Sequence, residues 1–289
     1  MKLVRALIIA SHPIPSLAVT AMATLLTAEA APRGFGAGRV VLVALAVLAG
    51  QLSVGWSNDA RDADRDTAAG RTDKPAAAGL ISARALWLAA AAAAAATLAL
   101  AAALGPVSLA IDVLMTAVAW SYNLGLKSTV WSGACYAVAF GLLPSFSASA
   151  LPGHPLARWP VTVAAALLGL GAHFANVLPD LTADARTGVR GLPQRVAARF
   201  GHVATRSAAL ALLLAASVLL LVAASPGRRW VAVAGLCCSG VLAVAGARGR
   251  GQVPFLAAIG IAGVNAALFA GGVETLTAMA APHLAGALG

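Results

Sequence analysis

Nine stretches of roughly 20 residues, each almost free of charge, run along this 289-residue chain and leave few folds open to it. They fall near residues 12–30, 40–57, 85–103, 107–124, 132–150, 160–178, 207–224, 230–246 and 253–273, and Glu29 and Asp112 are the charged residues within them. A stretch of this length and apolarity spans the hydrocarbon of a bilayer as a helix, because lipid cannot hydrogen-bond an open backbone. Charged residues make up 10% of the chain, against about 25% in a soluble domain. The sequence therefore predicts an all-α, polytopic membrane protein of nine transmembrane helices, forming one domain over residues 1–289. Glycine, proline or charge punctuates most junctions, as at Gly105-Pro106, Pro152-Gly153 and Pro226-Gly227.

Nine spans put the two ends of the chain on opposite sides, and the basic residues decide which way round. With the N-terminus in the cytoplasm, 15 of the 20 Lys and Arg residues fall on the inside and 5 on the outside. The positive-inside rule thus predicts a cytoplasmic N-terminus. The formal charge of +10 would suit nucleic acid, but its distribution into short loops between apolar spans is the membrane pattern, so no nucleic-acid partner is expected. The N-terminal segment reads as the first membrane helix rather than a cleaved signal, since His12, Pro13 and Pro15 interrupt the apolar run and no convincing small-residue cleavage site follows. All six tryptophans lie near predicted span ends, where interfacial anchors sit. Cys135, Cys237 and Cys238 have neither metal-ligand nor disulfide spacing and read as small packing residues.

Two loops break the short-loop pattern, at about 58–84 and 179–206, both cytoplasmic in this topology. Seven of the ten acidic residues lie in them. In the first, Asn58, Asp62 and Asp66 stand at i, i+4 and i+8, one face of a continuing helix, with Asp59 beside them. Like charges at that spacing repel, and a divalent cation removes the repulsion. Carboxylates with several coordination positions left open suit Mg²⁺, which is usually shared between protein carboxylates and substrate phosphates. In the second loop Asn176, Asp180 and Asp184 repeat the spacing. Two such faces suit two Mg²⁺ ions around one diphosphate. Arg61, Arg65, Arg71 and Lys74 flank the first cluster, Arg186 and Arg190 the second, and Lys127 follows Tyr122 and Asn123 at the same side of the membrane. These cations could neutralise a leaving diphosphate, or serve as positive-inside anchors. A calcium loop starting at Asp62 is disfavoured, since its sixth position is Thr67 rather than Gly and its twelfth is Asp73 rather than Glu. Asp112 reads as a helix-packing or interfacial acid, and His12 and His173 as packed or interfacial residues.

These motifs resemble those of the UbiA superfamily of integral membrane prenyltransferases. Asn58-Asp59-x-x-Asp62-x-x-x-Asp66, followed by Arg71-Thr72-Asp73-Lys74-Pro75 and Gly79-Leu80-Ile81-Ser82, is similar to the family's first signature. Asp180-x-x-x-Asp184, with Gly188, Arg190, Leu192-Pro193 and Gly201, is similar to the second, and Tyr122 through Lys127 resembles its tyrosine–lysine segment. The resemblance implies nine helices around a central cavity capped by the two loops. It implies transfer of a polyprenyl group from its diphosphate to an acceptor in the membrane, with Mg²⁺ held by Asn58, Asp62, Asp66, Asp180 and Asp184. Asp59 and Asn176 are implied supports, Asp59 counting with the metal residues and Asn176 with the substrate residues. Arg65, Lys127 and Tyr122 are implied diphosphate contacts, joining Arg71, Lys74 and Arg190. The acceptor, aromatic or lipid, is not set by the sequence. A terpene cyclase on the same scaffold is the alternative enzyme. A transporter using the acids is a third reading, disfavoured because its sites usually lie at mid-membrane. The expected location is the bacterial plasma membrane, with the active site facing the cytoplasm.

Overall fold

The computed structural model describes residues 2–32, 34–181, 184 and 189–271. Arg33, Arg186, Gly188 and Glu274 lie outside the described residues. All regular structure among the described residues is helical. The helices are α1 (Lys2–Ala10), α2 (Pro13–Ala30), α3 (Ala37–Ala68), α4 (Ala83–Leu104), α5 (Pro106–Leu124), α6 (Ser132–Ser149), α7 (Trp159–Val177), α8 (Leu192–Ala223), α9 (Arg229–Arg248) and α10 (Val253–Gly271). Short 3₁₀ turns at Leu126–Ser128 and Pro226–Arg228 join α5 to α6 and α8 to α9.

Each of the nine expected stretches overlaps one helix from α2 to α10. By length and apolarity alone six helices qualify as membrane spans, and the bent pair α1–α2 would make a seventh. The two remaining helices fall short for different reasons. The apolar part of α10, Val253–Phe269, is short. α6 contains Ser132, Ser145, Ser147 and Ser149, all buried inside the bundle, which lowers its apolarity without exposing these hydroxyls.

Helices adjacent in sequence pack side by side from α2 through α10, and α10 returns against α2 to close the ring. Contacts of α2 with α6 and of α10 with α7 cross its interior. The main core joins residues such as Leu26, Val43, Leu143, Phe146, Leu168, Leu213 and Ile261 from most of these helices. Outside, Leu17, Leu45, Leu88, Val113, Val218 and Val241 are exposed, as a lipid-facing surface requires. Polar side chains tie helices together within it. Thr97 Oγ1 lies 2.9 Å from both Ala46 O and Asp112 Oδ2, so Asp112 is buried as a packing acid between α3, α4 and α5. Asn265 donates to Leu213 O at 2.9 Å and lies 2.6 Å from Ser217 Oγ.

The tryptophans divide into two groups. Trp131, Trp159 and Trp230 stand exposed at helix starts, as expected. Trp56 and Trp120 turn inward instead, donating to Leu7 O and Ser53 Oγ at 2.8 and 2.9 Å, and Trp87 packs against Trp120. An indole N–H that finds an acceptor inside the bundle has no need of the headgroup layer. Cys135 is buried, whereas Cys237 and Cys238 are exposed on α9 rather than packed between helices.

α3 positions the first acidic cluster. Its 32 residues make a rod of about 48 Å at ~1.5 Å per residue, well beyond a hydrocarbon core of about 30 Å. The helix thus has about three turns more than a span needs, the charged turns 58–68 being the surplus, and residues 58–68 of the expected loop 58–84 are helix. α8 does the same for the second loop, beginning at Leu192 and breaking at Gly201 (φ 85°, ψ 167°), a left-handed position that glycine occupies without strain. Its first two turns thereby set off at an angle from the part that lies among the membrane helices.

Candidate functional site

On α3 the helical period sorts the charges as the spacing predicts. Asp62 and Asp66 are 7% and 6% exposed, while Arg61 and Asp64 face out. Asn58, half-buried, heads the same inner face. Two buried carboxylates one turn apart need counter-charge. Lys127, on the 3₁₀ turn after α5, donates to Asp62 Oδ1 at 2.5 Å and approaches Asn58 Oδ1 at 3.4 Å. Arg65 reaches Asp62 Oδ2 at 2.8 Å and comes no nearer to Asp66 than 4.0 Å. Asp66 is thus the less compensated acid, and burial, followed by the Asp62 charge, raises its pKa above the usual carboxylate value. Burial also holds the Lys127 ammonium below its usual value, although the hydrogen bond to Asp62 and its charge pull the other way.

Asp59 lies on the neighbouring side of α3, 2% exposed. Its Oδ1 accepts from Lys74 Nζ at 2.8 Å and meets His12 Nε2 at 3.0 Å. Burial pushes this carboxyl up, but the hydrogen bonds from His12 and Lys74 outweigh it and keep the net value low. Asp59 therefore fastens the loop after α3 to the break between α1 and α2. There the chain bends by 64° with His12 in the left-handed region at φ 50°. Arg71 pairs bidentately with Asp73, both contacts at 2.8 Å, on the exposed side of the loop. That pairing lowers the Asp73 carboxyl to about 2 and raises the guanidinium.

The second cluster departs from the spacing argument. α7 ends at Val177 and the chain turns through 178–180 before Leu181 and Asp184 resume helical geometry. Pro179 cannot donate a backbone hydrogen bond, so Asn176, Asp180 and Asp184 do not continue one regular helical stripe. Asn176 and Asp180 are exposed, and the Asp184 amide donates to Asp180 O at 2.8 Å. Asp184 Oδ2 accepts from Gln194 Nε2 at 2.8 Å. Burial, with the neighbouring Asp180 charge, raises the Asp184 carboxyl against that bond. Arg190 is exposed, and its carbonyl accepts from Arg195 Nε at 2.7 Å.

The two clusters share one electrostatic field. Arg65 of the first lowers Asp184 of the second, and Arg71 feels both Asp66 and Asp180. Beneath them Tyr122 packs edge-on against Tyr136 and His173, with ring centroids 5.3 and 5.8 Å apart. Tyr136 and His173 stack at 4.4 Å. His173, 2% exposed, has Nε2 3.0 Å from Ser132 Oγ, which accepts the Leu192 amide at 2.8 Å. Gln194, Ser132 and Tyr136 escaped the sequence reading because no spacing relates them to the acids.

Gly191 is where the α8 start meets the Lys127 turn. A Cβ there would lie 2.7 Å from Lys127 O and from Gln194 Oε1, and 3.0 Å from Ser132 Oγ. Gly191→Ala should therefore destabilise the protein by about 1–3 kcal/mol and slow the site's reaction, since Lys127 and Gln194 both move. Melting in detergent together with turnover checks this, and unchanged values for both would refute the contact.

The donors suit Mg²⁺ in kind: carboxylates and an amide oxygen, with no thiolate. Asp66 supplies the under-compensated charge that such an ion relieves. Among the described residues no three His, Cys, Asp or Glu side chains converge into a closed metal cage. An ion here would take its remaining ligands from substrate and water, the usual manner of Mg²⁺.

The chain matches the UbiA prenyltransferase family over residues 16–254. Among solved structures it is similar to a UbiA homologue from Archaeoglobus fulgidus bound to GPP and Mg²⁺, at 17% identity and TM-score 0.73, covering 93% of this chain and 99% of that one. An apo UbiA homologue from Aeropyrum pernix K1 is similar at 22% identity and TM-score 0.70, over 89% and 96% of the two chains. A digeranylgeranylglyceryl phosphate synthase is similar at 14% identity and TM-score 0.72, over 96% and 100%. No curated protein sequence matches the chain.

Proposed function

The chain belongs to the UbiA prenyltransferase family, and from that premise we propose that it transfers a polyprenyl group from its diphosphate to an aromatic or lipid acceptor within the membrane, with Mg²⁺ as cofactor. The observation that carries the reading is the inward-facing Asn58–Asp62–Asp66 stripe, its two acids buried, with Lys127 and Arg65 on it. Acids that are buried, yet served by cations that could turn to a phosphate, suit a site that must hold diphosphate and metal together.

Asn58, Asp62, Asp66, Asp180 and Asp184 are the proposed metal residues, with Asp59 fixing Lys74 behind them. When bound, Mg²⁺ supplies positive charge to a diphosphate that becomes more negative as its allylic C–O bond breaks. Lys127 and Arg65 donate to the same leaving group and are already aligned by Asp62 before substrate arrives. Arg71, Lys74 and Arg190 stand outside this pair as further proposed diphosphate contacts, and Asn176 as a polar support. Tyr122 with Tyr136 and His173 forms a dry aromatic wall, which keeps water from an allylic cation. The charge asymmetry of the loops supports nine crossings with a cytoplasmic N-terminus and site.

Purified protein with GPP or geranylgeranyl diphosphate, with Mg²⁺ or EDTA, and with or without host-membrane extract tests the proposal. Diphosphate release should require Mg²⁺ and extract, and the isoprenoid product should contain a second molecule. Release without extract, giving a product of prenyl atoms alone, replaces transfer by cyclisation. No release from folded protein at any chain length overturns the reading.

A further inference from the structure

A cavity of about 200 Å³ borders the second acidic cluster on the side of Pro179, between the turn after α7, the start of the long part of α8 and the α9–α10 connection. Its lining combines apolar side chains, Leu181, Val203 and Phe255 among them, with the polar groups of His202, Arg206 and Gln252. Arg206 donates from Nη1 to Gly249 O at 3.2 Å, whereas its Nε is buried with no hydrogen-bond partner. A guanidinium carries five N–H donors and no acceptor, so Arg206 brings donors to the cavity wall that the described protein groups leave unused. Asp180 adjoins the Pro179 wall, but the ion pairs among the described residues do not join it to Arg206. The cavity therefore has a positive group and wants an acceptor with oxygens.

The surroundings select the kind of acceptor. The cavity opens where α7 and α9 end, α10 begins and the long part of α8 starts, at one end of the apolar helices. Val203 in its wall is 65% exposed, and Phe200 and Leu256, close in the chain to the lining residues His202 and Phe255, are 65% and 58% exposed. Arg199, Arg248 and Arg250 are exposed around the same end. A free anion needs only the cation. An anion that carries acyl chains also uses the apolar skirt, and basic pockets between membrane helices take anionic lipid head groups in this way. We propose that the cavity binds the phosphate of an anionic phospholipid, with the Arg206 guanidinium in its wall as the cation, His202 and Gln252 as its other polar groups, and the acyl chains lying along Phe200, Val203 and Leu256. This does not depend on the transferase reading.

Native mass spectrometry of the full-length protein, mixed with dioleoylphosphatidylglycerol or dioleoylphosphatidylcholine, tests it. The wild type should retain the anionic lipid preferentially. Arg206→Gln should weaken that retention by about tenfold or more, the size expected for a lost charged hydrogen bond, and Arg206→Lys by less. Diphosphate release in phosphatidylcholine nanodiscs should be unchanged in both variants. Equal retention of the two lipids by wild type, or full retention by Arg206→Gln, overturns the proposal. Displacement of the lipid by millimolar inorganic phosphate would make the occupant a soluble anion, and displacement by GPP would assign the cavity to the reaction site. Either result also overturns it. If Arg206→Gln fails to fold, the wild-type lipid preference, the two competitions and His202→Gln keep the test open.

Discussion

Asp62→Ala should release diphosphate from a prenyl diphosphate about 10³-fold more slowly than wild type, or not measurably, at any Mg²⁺ concentration. The side chain stands at the centre of the stripe, with Lys127 at 2.5 Å on one oxygen and Arg65 at 2.8 Å on the other. Its removal takes away a proposed metal ligand and releases the two cations aimed at the leaving group, a loss of the order seen when preorganised charge stabilisation is removed. Alanine also leaves the Lys127 ammonium, 13% exposed, without its main partner, so the variant will melt lower. Asp62→Asn separates the effects. Its amide oxygen can still accept from Lys127, so folding should survive while turnover is lost. Wild-type turnover in Asp62→Asn would sink the proposed site. Lost melting in both variants with turnover retained would make Asp62 a structural residue.

Lys127→Met should produce a split that distinguishes the two roles open to this lysine. As a donor to diphosphate it contributes to the rate, and its loss should lower kcat/KM by about 10²–10³-fold. As the cation that occupies Asp62 Oδ1 it competes with any divalent ion for that carboxylate, so its loss should lower the Mg²⁺ concentration needed for half-maximal activity. Titrating Mg²⁺ against the rate of diphosphate release reads both. A slower enzyme that saturates at less Mg²⁺ supports the arrangement proposed for the site. An enzyme with unchanged rate and a higher Mg²⁺ requirement would mean that Lys127 only organises the ligands, and it would remove Lys127 from the diphosphate contacts.

The sequence was a good guide wherever the physics is local. Helical periodicity alone puts Asn58, Asp62 and Asp66 on one face, and α3 does turn Asp62 and Asp66 inward and Arg61 and Asp64 outward. The same periodicity does not extend over Asn176, Asp180 and Asp184. Pro179 stands inside that repeat, and a residue without a backbone donor interrupts the helix on which the spacing argument rested. The apolar stretches located α2 through α10, but they did not tell which helices owe their burial to neighbours. α6, with its four inward serines, falls below the apolarity of a membrane span because protein rather than lipid surrounds its polar face.

What the chain determined by itself was its solvent and its inventory: too little charge for water, helix-length apolar runs, and acids gathered into two places at helix ends. Only the tertiary structure decided the partners. Lys127 meets Asp62 across 65 residues, Lys74 and His12 converge on Asp59 from either side of it in sequence, and Gln194 answers Asp184. Arg71, which sequence alone would send to the substrate as readily as Lys127, is engaged by Asp73 two residues away. The cavity at Arg206 left no trace in spacing or composition either. Which cation reaches which acid depends on how α5, α7, α8 and the N-terminal break pack around the end of α3, and hydrophobic packing between helices is non-directional in sequence. Periodicity fixes which face a residue occupies on its own helix, and the packing of the neighbouring helices and turns fixes what that face meets.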